Sequence, residues 1–106
     1  MVAAHFSLGK VWAMLDKHQF AVDEYLEAIS INPIFPDAYF QLGRSYTNLN
    51  MYNEAAKAYY DALRLSPNYF EAYIGIGKAY INAEKYNEAI APLRNAIAIN
   101  PVSMEA

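Results

Sequence analysis

The chain contains no cysteine, which excludes disulfide cross-links and thiolate chemistry. No apolar run approaches the roughly 20 residues that span a bilayer. No signal-peptide pattern opens it. Membrane insertion is therefore not expected within this segment. Cations are outnumbered, eight Lys and Arg against eleven Asp and Glu, for a formal charge of −3. Nucleic-acid binding rests on phosphate neutralisation by a clear basic surplus, so such a ligand is not expected either. Histidine is scarce: His5 and His18 stand alone, and neither has a metal-ligating neighbour at helical spacing. Both are expected to pack. No serine or threonine has a His and Asp constellation around it, and Asp23, Glu24, Glu27, Glu54 and Asp61 read as a solvated acidic face. Gly75-Ile76-Gly77-Lys78 has one residue between its glycines and Ala79 after the lysine, whereas a phosphate loop needs four and Ser or Thr. These absences leave no catalytic residue, no metal site and no cofactor to expect.

Glycine is also rare, four residues in all, yet three of them are regularly placed. Gly9, Gly43 and Gly77 are 34 residues apart, as are Pro33, Pro67 and Pro101. The residue before each glycine is Leu8, Leu42 or Ile76, and the third after it is Trp12, Tyr46 or Tyr80. The fourth before it is His5, Tyr39 or Tyr73. Further on come Ala21, Ala55 and Ala89, then Tyr25, Tyr59 and Leu93, then Ala28, Ala62 and Ala96. Steps of three and four place these residues on one helical face, and each unit carries two such faces. The spacing predicts first helices over 3–15, 36–49 and 70–83, and second helices over 18–31, 52–65 and 86–99. Glycine and alanine stand where helix backbones approach closely, and aromatics fill the gaps between helices. Each proline stops a second helix, because it lacks an amide donor and disfavours helix in the residue before it. Asn50 is placed in the tight turn between paired helices, where asparagine tolerates the left-handed conformation. Tyr69 and Phe70 are expected to seal one junction between units, as Phe35 and Pro36 seal the other. Gly75 costs its helix about 1 kcal/mol relative to alanine, and Pro92 should bend the last helix. With apolar residues at 56% of the chain, the units have enough to build a shared core.

The tetratricopeptide pattern, W-x2-L-G-x2-Y, then A-x3-F, then P, reads here as Tyr39, Leu42, Gly43, Tyr46, Ala55, Tyr59 and Pro67. The other two units match almost as well, with His5 and Leu93 as mild departures. The chain thus resembles the tetratricopeptide-repeat family over essentially its whole length. The resemblance implies an all-α fold: a right-handed superhelical solenoid of three helix-turn-helix units. Repeat 1 covers about 2–35, repeat 2 about 36–69 and repeat 3 about 70–103. Val102–Ala106 matches the residues that open a new unit after Pro67, so 104–106 reads as the start of a truncated fourth.

Proteins of this kind bind extended or helical peptides in the concave surface lined by their first helices, so the resemblance implies a protein or peptide partner. Carried over by position, the lining is Phe6, Lys10 and Ala13; Phe40, Gln41, Arg44 and Thr47; and Ile74, Lys78 and Ile81. Asn48 and Asn82 stand at its edge. A cation follows every repeat glycine (Lys10, Arg44, Lys78), and a large apolar residue precedes each by three (Phe6, Phe40, Ile74). Packed helices lie roughly 10 Å apart, so the cation ladder spans about 20 Å. An extended peptide of about six residues covers that length. An acidic segment with apolar anchors is the expected ligand. One subclass of the family clamps the terminal carboxylate of chaperone tails, but the matching positions hold Phe6, Lys10, Gln41, Glu71 and Gly75, none of which supplies the expected group at its own site.

Two other roles stay open at this point. One is a substrate-reading arm of a larger enzyme. Such arms often carry an asparagine ladder, which Ser7, Gln41 and Gly75 do not supply. The other is self-assembly. Solenoids need polar capping helices, and none is present, while Ile90, Leu93 and Ile97 offer an apolar face on the last helix. Homo-oligomerisation through uncapped ends is an expectation of this reading.

Overall fold

The computed structural model describes residues 1–99, so the reading of 104–106 lies outside the described residues. Six helices follow one another: α1 (Val2–Met14), α2 (His18–Ile31), α3 (Pro36–Asn48), α4 (Tyr52–Leu65), α5 (Phe70–Asn82) and α6 (Tyr86–Ile99). Each start agrees with its sequence-predicted position to within one residue. The first helices stop one residue early because their last turns are closed by a repeated backbone device.

That device sits at Asp16, Asn50 and Glu84, all with left-handed φ of 60 to 62°. In each unit the amide of this residue donates three residues back, as from Asn50 to the Thr47 carbonyl at 3.0 Å. The next amide reaches five back: Lys17 to Trp12, Met51 to Tyr46 and Lys85 to Tyr80, all at 2.8 to 2.9 Å. This double closure satisfies carbonyls that the helix end leaves unpaired. In two units a side chain braces the turn as well. Tyr52 Oη donates to Asn50 Oδ1 at 2.8 Å, and His18 Nε2 lies 3.3 Å from Asp16 Oδ1.

Every helix packs on its neighbours in the chain, so the units stack in order into an all-α helical-repeat solenoid. In addition α1 touches α3 and α3 touches α5, whereas α2 does not touch α4, nor α4 α6, among the described residues. The first helices therefore converge on the inner side and the second helices splay on the outer. The core runs along the seam between them and is built largely of alanine: Ala21, Ala28, Ala55, Ala62, Ala72 and Ala79 are all fully buried.

Close approach explains the repeat glycines. A Cβ on Gly43 would lie 2.8 Å from the Tyr59 ring, and one on Gly75 would lie 2.5 Å from the same ring. Tyr59 is thus held between two units, and only glycine at both places leaves it room. Junctions are closed by linker aromatics, as expected. Phe35 meets the Phe6 ring at 4.8 Å. Tyr69 stacks on Phe40 at 5.0 Å and donates its hydroxyl to Asp37 Oδ1 at 2.9 Å. Pro92 is buried inside α6, and the helix continues past it.

Candidate functional site

Two cavities lie along the inner side. The first, about 420 Å³, is bounded by Phe40, Arg44, Thr47, Asn48, Tyr59, Glu71, Ile74, Gly75 and Lys78. The second, about 550 Å³, is bounded by Lys10, Ala13, Met14, Asp16, His18, Tyr25, Gln41, Arg44, Ser45 and Asn48. Arg44 and Asn48 belong to both, so α3 forms the ridge between them. Of the residues expected to line the groove, Lys10, Gln41, Arg44, Thr47, Asn48, Phe40, Ile74 and Lys78 are brought together here. Phe6, Ile81 and Asn82 are not part of either cavity. Phe6 is held under Phe35 and against Tyr25, whose ring is 5.9 Å away, while Ile81 and Asn82 face solvent further along α5.

The two ladders are coupled along each helix. Lys10 Nζ stands 5.4 Å from the Phe6 ring centroid and the Arg44 guanidinium 5.9 Å from that of Phe40. Residues four apart share a helix face, so cation and ring meet within one turn. In the third unit Ile74 replaces the ring, and Lys78 has no such partner among the described residues. Thr47 and Asn48 are tied to their own helix: Thr47 Oγ1 donates to the Gly43 carbonyl at 2.9 Å, and Asn48 Nδ2 to that of Arg44 at 3.0 Å. The first helices carry Lys10, Arg44 and Lys78 towards the groove, where Glu71 joins them, while Asp23, Glu27 and Glu54 are exposed on the second helices beside Lys57, Arg64 and Arg94.

Tyr25 and Tyr59, expected as repeat aromatics to fill gaps between helices, also floor the cavities. Both come from second helices and cross the seam to the glycine of the paired first helix. Burial pushes the Tyr25 phenol up to about 12, partly opposed by the Arg44 cation. Burial also raises Tyr59, against the nearby Thr47 hydroxyl and the charge of Arg44. The signal was the pairing of a tyrosine with a glycine sixteen residues earlier (Gly9 with Tyr25, Gly43 with Tyr59), which implies a long side chain reaching across. His5, expected only to pack, also bonds Glu24 across the helix pair at 2.7 Å.

The apolar face expected at Ile90, Leu93 and Ile97 divides in two. Ile90 and Ile97 are about half exposed. Leu93 turns inward, where a Cβ on Gly77 would lie 2.5 Å from it. It occupies the position of Tyr25 and Tyr59 in the other units, which points at the paired helix. Among the described residues no helix is long and apolar enough to cross a membrane.

Comparison with known proteins gives a consistent picture. Two family models described as tetratricopeptide repeat match residues 36–69 and 70–103, together well over half the chain. No curated protein matches the sequence at a significant level. Among solved structures, the crystal structure of MamA protein is 29% identical, with a TM-score of 0.90 over 98% of this chain. The chain spans 57% of that protein's chain and 61% of a second MamA structure. The TPR domain of Arabidopsis OM64 is 23% identical (TM-score 0.89, 94% of this chain, 83% of that one). The first TPR of Spaghetti (RPAP3), solved bound to the HSP90 peptide SRMEEVD, is 21% identical (TM-score 0.90, 94% of this chain, 79% of that one). The last two share the fold.

Proposed function

The chain belongs to the tetratricopeptide-repeat family, whose arrays are generally non-catalytic protein-interaction scaffolds, and on that premise we propose that its concave groove holds an extended segment of a partner protein, acidic with apolar anchors. The observation that carries this reading is the row of cations from three successive units along one side, with Arg44 and Asn48 bordering both cavities. The groove is built on helices whose spacing is set by packed glycine and alanine, so the protein loses little conformational freedom on binding. The test is charge reversal of Lys10, Arg44 and Lys78 to glutamate, scored against a short-peptide library. Binding of acidic peptides should fall while the helical signal and thermal midpoint stay near those of the parent. Undiminished binding by a folded variant refutes the role of the cations.

A second reading, head-to-tail contact between copies of the chain, is favoured by one comparison of burial. Ala56 and Leu63, the matches of Ile90 and Ile97, are 5% and 7% exposed under α5. Leu42 and Ile76, which match the exposed Leu8, are 5% and 0% exposed. The outer faces of α6 and α1 thus carry the residues that meet at the internal junctions. A second copy continuing the stack would cover both. Sedimentation at rising concentration should show association that Ile90→Asp and Ile97→Asp abolish; a concentration-independent monomer refutes it.

A further inference from the structure

The two cavity floors differ at one matched position. Tyr25 and Tyr59 occupy the same place in their units and cross the same seam. Beside the Tyr59 phenol stands Thr47, whose hydroxyl oxygen can accept from it while its own proton goes to the Gly43 carbonyl. The residue matching Thr47 in the first unit is Ala13, which has no polar side-chain atom. Tyr25 is fully buried, and its hydroxyl has no hydrogen-bond partner among the described residues. A buried hydroxyl left unpaired is destabilising and uncommon, so it marks a place where an acceptor from elsewhere fits. The cavity around it carries Lys10, Gln41, Arg44 and Asn48, a donor-rich set with two cations. Asp16, the carboxylate on its rim, is 95% exposed and paired with His18.

Resting on the groove reading above, we propose that the cavity between α1 and α3 is a subsite for the side-chain carboxylate of a glutamate in the partner segment. The carboxylate accepts a hydrogen bond from the Tyr25 hydroxyl and lies between the charges of Lys10 and Arg44. Both cations are exposed, so they can swing aside on the fast timescale of surface side chains. Glutamate is preferred over aspartate because Tyr25 is fully buried, and the longer side chain suits a buried hydroxyl better. The neighbouring cavity presents Phe40, Tyr59 and Ile74 between Arg44, Lys78 and Glu71. The Glu71 carboxylate disfavours a second carboxylate there, so this cavity takes an apolar side chain. A helix spacing of roughly 10 Å corresponds to about three residues of extended peptide, so the recognised segment has a glutamate about three positions from an apolar residue.

The test screens short peptides with a fixed leucine and with Glu, Gln or Asp scanned through the remaining positions. The targets are the 106-residue chain, Tyr25→Phe and Ala13→Thr. The parent should select Glu about three residues from Leu, by about tenfold over Gln. Tyr25→Phe should lose that selection without a fall in thermal midpoint, since it removes only an unpaired hydroxyl. Ala13→Thr should weaken it too, by giving Tyr25 the partner that Thr47 gives Tyr59. Selection of Leu without any preference for Glu overturns the subsite and leaves the groove standing. Equal preference for Glu in all three proteins also overturns it, as does loss of selection in Tyr25→Phe accompanied by a lowered midpoint. If no peptide binds at all, the groove reading falls and the subsite with it.

Discussion

Gly75 offers the sharpest test of how the units are held together. Helix propensity alone says that Gly75→Ala stabilises α5 by about 1 kcal/mol. Packing says the opposite. The added Cβ would lie 2.5, 2.7 and 2.9 Å from three atoms of the Tyr59 ring. A ring tip often yields to such a contact by swinging away. Here it has little room to do so, because Tyr59 is only 3% exposed and the Phe40 ring stands 5.6 Å from it. The strain must move α5 away from α4. Overpacking of this kind costs about 2 to 3 kcal/mol. After the propensity gain, the net loss is about 1 to 2 kcal/mol, or roughly 5 to 10 °C in thermal midpoint for a domain of this size. A double-mutant cycle with Tyr59→Leu, which copies Leu93 of the third unit, isolates the contact. In the leucine background Gly75→Ala should be neutral or stabilising. A Gly75→Ala protein more stable than the parent in chemical and thermal unfolding would falsify the account of Tyr59 as a ring held between two units.

Other expectations follow from the same contacts. Glu84→Gly should stabilise the fold by about 0.5 to 1 kcal/mol by relieving a left-handed glutamate. Asn50→Gly should not, because asparagine tolerates that conformation and accepts a hydrogen bond from Tyr52; urea midpoints compare the two. Alkali should unfold the protein in a defined window. Tyr25 is raised from 10.0 to about 12, so its contribution is complete below pH 10 and is lost as pH rises through about 12. Melting curves across that range should steepen downward, and Tyr25→Phe should flatten the fall. Tyr69→Phe removes the hydrogen bond to Asp37 and should cost at most about 1 kcal/mol, with peptide binding unchanged, as titration of the variant would verify.

The helices were legible because their pattern repeats: three copies of each glycine, alanine and proline position leave little freedom in where a helix lies. The left-handed turn was visible at Asn50. At Asp16 and Glu84 it was hidden by residue types that suit it less. The groove was legible only where it is made by first helices. Its floor is made by tyrosines from second helices, and linear spacing describes which face a residue occupies but not how far its tip reaches. Leu93 was misplaced on the outer face for the same reason. The orphaned Tyr25 hydroxyl needs a comparison of units in three dimensions, since Ala13 is unremarkable until it is set against Thr47.

The one-sided contact between helices has a mechanical consequence. First helices touch across units and second helices do not, so resistance to bending is concentrated on the inner side. When such an array flexes, its least-strained line runs close to the groove, and the change in length falls on the outer edge. Thermal flexing would then alter the convex face while leaving the distance between neighbouring cavities almost constant. A ruler built this way keeps its graduations even while it bends.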